Sequence, residues 1–208
     1  MKKLFIFFIC AALLAAGSMF LQSCENERNV EFECEKIERV ARSSEFEQFM
    51  LAVSDYFHTF TNVIKTMPSE EQAYLFENHQ NEEVVMQFLE KNNLVESSMR
   101  LQENTIPLLN NRDFAELSLN EQQTLFENHA TFDVKHFSYF STATRVSNPC
   151  NQAFMSAFER QQTIYVIGLV FCIGTTWFSA LCAGTMTVIH ISEVNRIEQE
   201  RQDCLAAH

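Results

Sequence analysis

The chain has 208 residues and a formal net charge of −12, with 15 Lys and Arg against 27 Asp and Glu. That balance excludes binding to nucleic acid through its backbone phosphates and predicts repulsion from anionic lipid surfaces. Only 4 glycines and 3 prolines accompany 20 phenylalanines, which argues against sheets built on closely spaced turns and sets an all-α fold as the expectation.

The first element reads as an export leader. Lys2 and Lys3 give a positive start, and Leu4 to Phe20 is an uncharged apolar run of signal-peptide length. The run ends in Leu21-Gln22-Ser23-Cys24, with leucine at −3, a small residue at −1 and a cysteine next. This resembles the lipobox of bacterial lipoproteins, which a type II signal peptidase cuts. The resemblance implies that residues 1–23 are removed and that Cys24 becomes the diacylated first residue. It also implies a place in the bacterial cell envelope, lipid-anchored to a membrane, with the outer membrane favoured. Several acyl chains, at ~0.8 kcal/mol per buried methylene, make such attachment effectively permanent. The resemblance covers only this leader and implies no activity. Two other readings remain. One is an uncleaved membrane anchor, for which Leu4 to Ser23 is barely long enough and carries Gly17, Ser18 and Gln22. The other is an ordinary signal peptide followed by an incidental cysteine. Without the leader and its two lysines, 185 residues remain with a net charge of −14.

Residues 24–43 are polar and mostly charged, and read as a tether between lipid and folded body. The span 44–148 reads as a helical domain. Ser44 with Glu47 predicts a capping box. Phe46, Phe49, Met50, Val53, Tyr56, Phe57, Phe60, Val63 and Ile64 then recur at three- and four-residue steps, the stripe of a helix burying one aromatic face. An internal repeat follows: Glu71-Gln72-Ala73-Tyr74-Leu75-Phe76-Glu77-Asn78-His79 returns as Glu121-Gln122-Gln123-Thr124-Leu125-Phe126-Glu127-Asn128-His129, identical at 7 of 9 positions and 50 residues on. Caps are predicted at Ser69 with Gln72 and at Ser118 with Glu121. A repeat of this kind predicts two related helical units, each burying its Leu-Phe pair. His79 and His129, with Glu77 and Glu127, are the weak candidates for a metal site. Glu-x-His points its side chains to different faces of a helix, so helix C-termini explain the Asn-His pairs better than a metal does.

The span 149–208 reads as an apolar helical hairpin. Beyond Cys10, Cys24 and Cys34, the chain carries Cys150, Cys172, Cys182 and Cys204, at gaps of 22, 10 and 22 residues. In an antiparallel pair of helices, facing residues have a constant sum of numbers, a condition that Cys150–Cys204 and Cys172–Cys182 satisfy together. Twenty-two residues is also close to six whole turns, so both cysteines of an arm share a face. Two helices over Asn151–Cys172 and Cys182–Cys204, joined near Gly174 to Ser179 and stapled by disulfides at both ends, are therefore predicted; Cys34 is left over. Small residues Gly168, Ser179, Ala180, Ala183 and Gly184 are expected to let the arms approach closely. From Gln161 to Ser192 no residue carries a formal charge. As one continuous helix, Tyr165 to Ile189 has membrane-spanning length, but that reading places Cys172 and Cys182 ~15 Å apart, beyond disulfide reach.

No phosphate loop, nucleophile elbow or HExxH motif occurs, and the histidines (His58, His79, His129, His136, His190 and His208) are scattered. No cofactor and no nucleic-acid partner is implied. The leading expectation is a non-catalytic envelope lipoprotein, held to the membrane through Cys24 and working by contact with another envelope protein. The alternative is a membrane-active or toxin-related protein that inserts its apolar hairpin, and the third is a metal-binding or enzymatic protein using His79 and His129.

Overall fold

The computed structural model describes residues 35–129, 148–173 and 179–207. The leader, Cys24, the first part of the tether with Cys34, and the expected hairpin turn at Gly174 lie outside the described residues. Among the described residues every regular element is a helix.

The folded body starts earlier than Ser44. Residues 35–41 are helical, and Ile37 and Val40 are buried in the core. Lys36 donates to the Glu116 carbonyl at 3.1 Å and Arg39 pairs with Asp113 at 3.1 Å. The tether reading of 24–43 is thus corrected over 35–43. Ile37, Val40 and Ala41 fall three to four residues apart and form one apolar turn, which the charged composition of the stretch conceals.

The longest N-terminal helix, α1 (Ser44–Thr66), buries Phe46, Phe49, Val53, Tyr56, Phe57, Phe60 and Ile64 along the expected stripe. Glu45 and Glu47 in its first turn and Lys65 in its last match the helix dipole. Its cap is Ser43, which accepts from Phe46 N at 3.2 Å, not Ser44 with Glu47. The chain leaves the short helix through a tight turn, Ser43 N donating to the Val40 carbonyl at 2.9 Å. Ser43 is left extended while Ser44 is already helical.

Two residues separate α1 from α2 (Ser69–Glu77). Here too the expected cap is replaced: Pro68 occupies the N-cap and no side chain caps the helix. The Gln72 amide instead donates to the Ile64 and Met67 carbonyls at 2.9 and 3.0 Å, adding to the Met67 N–H that the Ile64 carbonyl also accepts. Asn81 caps α3 (Glu82–Lys91), and Asn93, at φ 56°, makes the left-handed turn into α4 (Leu94–Asn110). Pro107 lies inside the last turn of α4, itself exposed while the neighbouring Leu108 is buried. The short α5 (Arg112–Ala115) buries Phe114 and leads to α6 (Leu119–His129). There the predicted box forms in full, with Ser118 N donating to Glu121 Oε2 at 2.6 Å and Glu121 N to Ser118 Oγ at 3.3 Å.

The C-terminal third is the predicted hairpin, each arm longer than expected: α7 (Pro149–Ile173) and α8 (Ser179–Ala206). Asn148 accepts from Cys150 N at 2.8 Å and Pro149 takes the first helical position, where its missing N–H costs nothing. Disulfides join Cys150 to Cys204 and Cys172 to Cys182, with Cα–Cα distances of 5.8 and 5.4 Å. The second rules out one continuous helix through 165–189. No helix among the described residues is long and apolar enough to cross a membrane.

The apolar character of the hairpin has a packing cause. Besides α7, helix α8 touches α2, α3 and α4, and between residues 179 and 195 it presents no fully exposed side chain. A helix surrounded on all sides is apolar all round and lacks an amphipathic stripe. Gly168 faces the opposite arm, where an added Cβ would meet the terminal methyl of the flexible Met186 side chain of α8. Gly184 does not: a Cβ there would lie 2.8 Å from Leu89 Cδ1, so this glycine admits α3 rather than the opposite arm. Elsewhere the core is largely aromatic, with Phe126 against Phe46, Phe49 and Phe114, and Phe60 against Phe88 and Tyr56.

Candidate functional site

The two histidines singled out by the repeat serve different ends. His79, just beyond α2, donates from Nδ1 to the Phe76 carbonyl at 2.7 Å, satisfying an orphan acceptor of its own helix. His129, in the last turn of α6, sets Nε2 3.5 Å from Glu38 Oε1. Glu77 and Glu127 are both exposed. Among the described residues no group of three or more His, Cys, Asp or Glu side chains is placed to hold a metal ion, so the four repeat residues do not converge.

The four predicted disulfide cysteines pair in the predicted combination. At the open end of the hairpin the Cys150–Cys204 link has a polar companion. Arg201, buried on α8, makes a forked pair with Glu198 at 2.6 and 2.7 Å, donates to Asn151 Oδ1 of α7 at 3.1 Å and lies 5.5 Å over the Phe154 ring. The Glu198 carboxyl is held below its ordinary range: its partial burial works the other way, but the hydrogen bonds from Arg201 and Gln202 prevail. All of the Arg201 contacts run to its own helix or to the opposite arm, so the arrangement fixes the hairpin rather than presenting a cation to a ligand.

Sequence reasoning missed a set of buried polar side chains, which lies inside the molecule between the hairpin, α1 and α4. Thr187 of α8 donates to the Ala183 carbonyl at 2.7 Å, and with its one proton used, Oγ accepts from the Tyr165 hydroxyl of α7 at 3.0 Å. The Tyr165 ring stacks on His190, centroids 4.5 Å apart and planes at 13°. Tyr56 of α1 turns its hydroxyl toward Ser98 and Thr187 without closing a well-formed hydrogen bond. Gln162, one turn before Tyr165 and only 5% exposed, has neither amide atom hydrogen-bonded among the described residues. The available signal was the mirror rule itself: the numbering that pairs the cysteines also sets Tyr165 opposite residues 189 and 190, near the two ends of the uncharged stretch.

Burial governs the chemistry of this set. It pushes the Tyr56 phenol up to about 12 and the Tyr165 phenol well above its ordinary value, the latter reinforced by Tyr56 nearby. It lowers His190 to about 3. At neutral pH all three side chains are therefore uncharged. They can pack and exchange hydrogen bonds, but none stands ready as a nucleophile or as a general base.

No family model, no curated protein and no solved structure matches the chain.

Proposed function

We propose that the protein is a lipid-anchored lipoprotein of a bacterial cell envelope, whose acidic helical body works without catalysis through contact with another envelope protein. The observation that carries the reading is the Leu21-Gln22-Ser23-Cys24 sequence at the edge of an apolar core introduced by Lys2 and Lys3. Two features support it. Disulfides of the kind that join α7 to α8 form and persist in oxidising compartments, which an exported chain reaches. The titratable side chains of the inner seam are buried and neutral, and serve packing.

Labelling of producing cells with a palmitate analogue tests the anchor. The wild-type chain takes up label and sediments with membranes, whereas Cys24→Ala is unlabelled and released. Equal labelling of both chains, or an unmodified amino-terminal peptide in the mature protein, would overturn the reading. The contact role predicts a partner enriched by in-cell cross-linking over a control that carries residues 1–34 alone. Equal recovery from the two would leave the body without that role.

A further inference from the structure

Among the described residues the exposed large apolar side chains fall into two kinds. Leu51, Tyr74 and Leu119 stand singly on α1, α2 and α6, which is ordinary for a protein surface. The others come in pairs seven residues apart, Met99 with Ile106 on α4 and Ile164 with Phe171 on α7. The α4 pair belongs to the longer row. Val95, Met99, Gln102, Ile106 and Leu109 follow one another at steps of four and three residues, so they share one stripe of the helix. Met99 is 55% and Ile106 43% exposed, and the other three are half-buried. The stripe is separate from the row that α4 buries through Leu94, Leu101, Thr105 and Leu108. Its middle is tied to the hairpin, Ser179 of α8 donating to Gln102 Oε1 at 2.9 Å. The α7 row is shorter, running from Ile164 through Ile167 to Phe171 and stopping just before the undescribed residues 174–178.

We propose that this stripe of α4 is the face through which the body meets its partner, and that the partner presents an amphipathic helix with lysine or arginine beside its own apolar row. The inference rests on the contact role proposed above and adds to it a surface and a chemistry. Steps of four and three residues are the period at which one helix receives another, here with Met99 and Ile106 as the protruding side chains.

Charge selects the occupant. Glu96 and Glu103, both exposed, each follow a member of the row and line one edge of the stripe, the position from which paired helices exchange ion pairs. Among the described residues neither is in an ion pair. Arg100 lies further round the helix and donates to Ser97 at 3.4 Å. On the opposite edge Ser98 and Thr105 are buried, so the acidic edge is the one that a partner helix reaches. Charge opposes a second copy of this chain there, because antiparallel pairing of two such stripes sets glutamate against glutamate. A helix with cations at the facing positions meets both carboxylates.

The test places a benzophenone amino acid in turn at Met99, Leu51 and Phe171 of the full chain in producing cells, irradiates, and sequences the cross-linked peptides by mass spectrometry. Met99 is expected to give an adduct with another protein, in a peptide with apolar residues at heptad spacing flanked by lysine or arginine. Leu51, the isolated side chain, and Phe171 give none. Glu96→Lys with Glu103→Lys lowers the Met99 adduct at least ~tenfold, since like charges then face one another, while Glu70→Lys with Glu71→Lys on α2 leaves it level. Should the double reversal disturb folding, Glu103→Gln, which keeps helix propensity, lowers the yield in the same direction. An adduct from Met99 to this chain, to lipid or to an acidic peptide would overturn the proposal, as would a yield indifferent to Glu96 and Glu103. A partner captured from Leu51 or Phe171 but not from Met99 defeats this face and leaves the contact role standing. Silence at all three positions, together with no partner enriched over residues 1–34, defeats both.

Discussion

The two copies of the repeated nonapeptide share most of their side chains and little of their environment. In the first, Leu75 is buried but Phe76 is only partly covered, Glu71 pairs with Lys91 of α3 at 3.1 Å, and no side chain caps the helix. In the second, Leu125 and Phe126 are both buried, Phe126 joins the Phe46, Phe49 and Phe114 rings, and Glu121 closes a capping box. The leucine is buried in both copies, and the glutamine makes the same bond twice, Gln72 and Gln122 each donating to the carbonyl five residues back, at 3.0 and 3.1 Å. A helix borrows its energetics from what it packs on: α2 lies against α8, α6 against α7. The copies therefore share a local design without a common partner, and their histidines have no reason to meet.

That contrast is open to direct attack by unfolding measurements. The largest difference is expected at the phenylalanines. Phe126→Ala empties a fully packed aromatic site and should cost ~3–5 kcal/mol, against ~1–2 kcal/mol for the partly covered Phe76→Ala. Equal losses would mean that the copies are energetically equivalent. Next comes the glutamine pair. Gln72→Ala removes two bonds, though the Ile64 carbonyl keeps the Met67 N–H, and should cost ~1–2 kcal/mol, somewhat more than Gln122→Ala, which removes a single bond. The caps follow: Ser118→Ala should lose ~1 kcal/mol, while Ser69→Ala, at a position with no capping bond, should change stability by less than ~0.5 kcal/mol. A loss at Ser69 as large as at Ser118 would restore the symmetric caps expected from sequence. A small effect is also expected at Glu38, which pairs with Arg42 at 3.1 Å and lies 3.5 Å from His129: Glu38→Gln should cost under ~0.5 kcal/mol, and the loss should shrink with added salt.

The hairpin was readable because its constraint is arithmetic. Two disulfides between antiparallel helices demand facing positions, and the spacing of Cys150, Cys172, Cys182 and Cys204 met that demand before any packing was considered. The aromatic stripe of α1 was readable for a related reason, since a helix covered on one side keeps its period in sequence. The start of the folded body was hidden: charges at Lys36, Glu38 and Arg39 outweigh the single apolar turn of Ile37 and Val40, and only the docking of that turn reveals it. The caps before α1 and α2 were displaced because neighbouring segments, not the capping residues themselves, set where each helix begins.

By itself the sequence determined helical class, the aromatic face of α1, the pairing of four cysteines and the acidic character of the body, all of which depend on local period, residue type or spacing. Tertiary structure decided the rest. It made α8 a central strut rather than a membrane span, sent the two repeat histidines to separate partners, gave Gly184 to α3, and brought Tyr56, Tyr165, Thr187 and His190 into one dry seam. These outcomes turn on contacts between residues distant along the chain, and whether a polar side chain is solvated or enclosed depends on which helix arrives beside it.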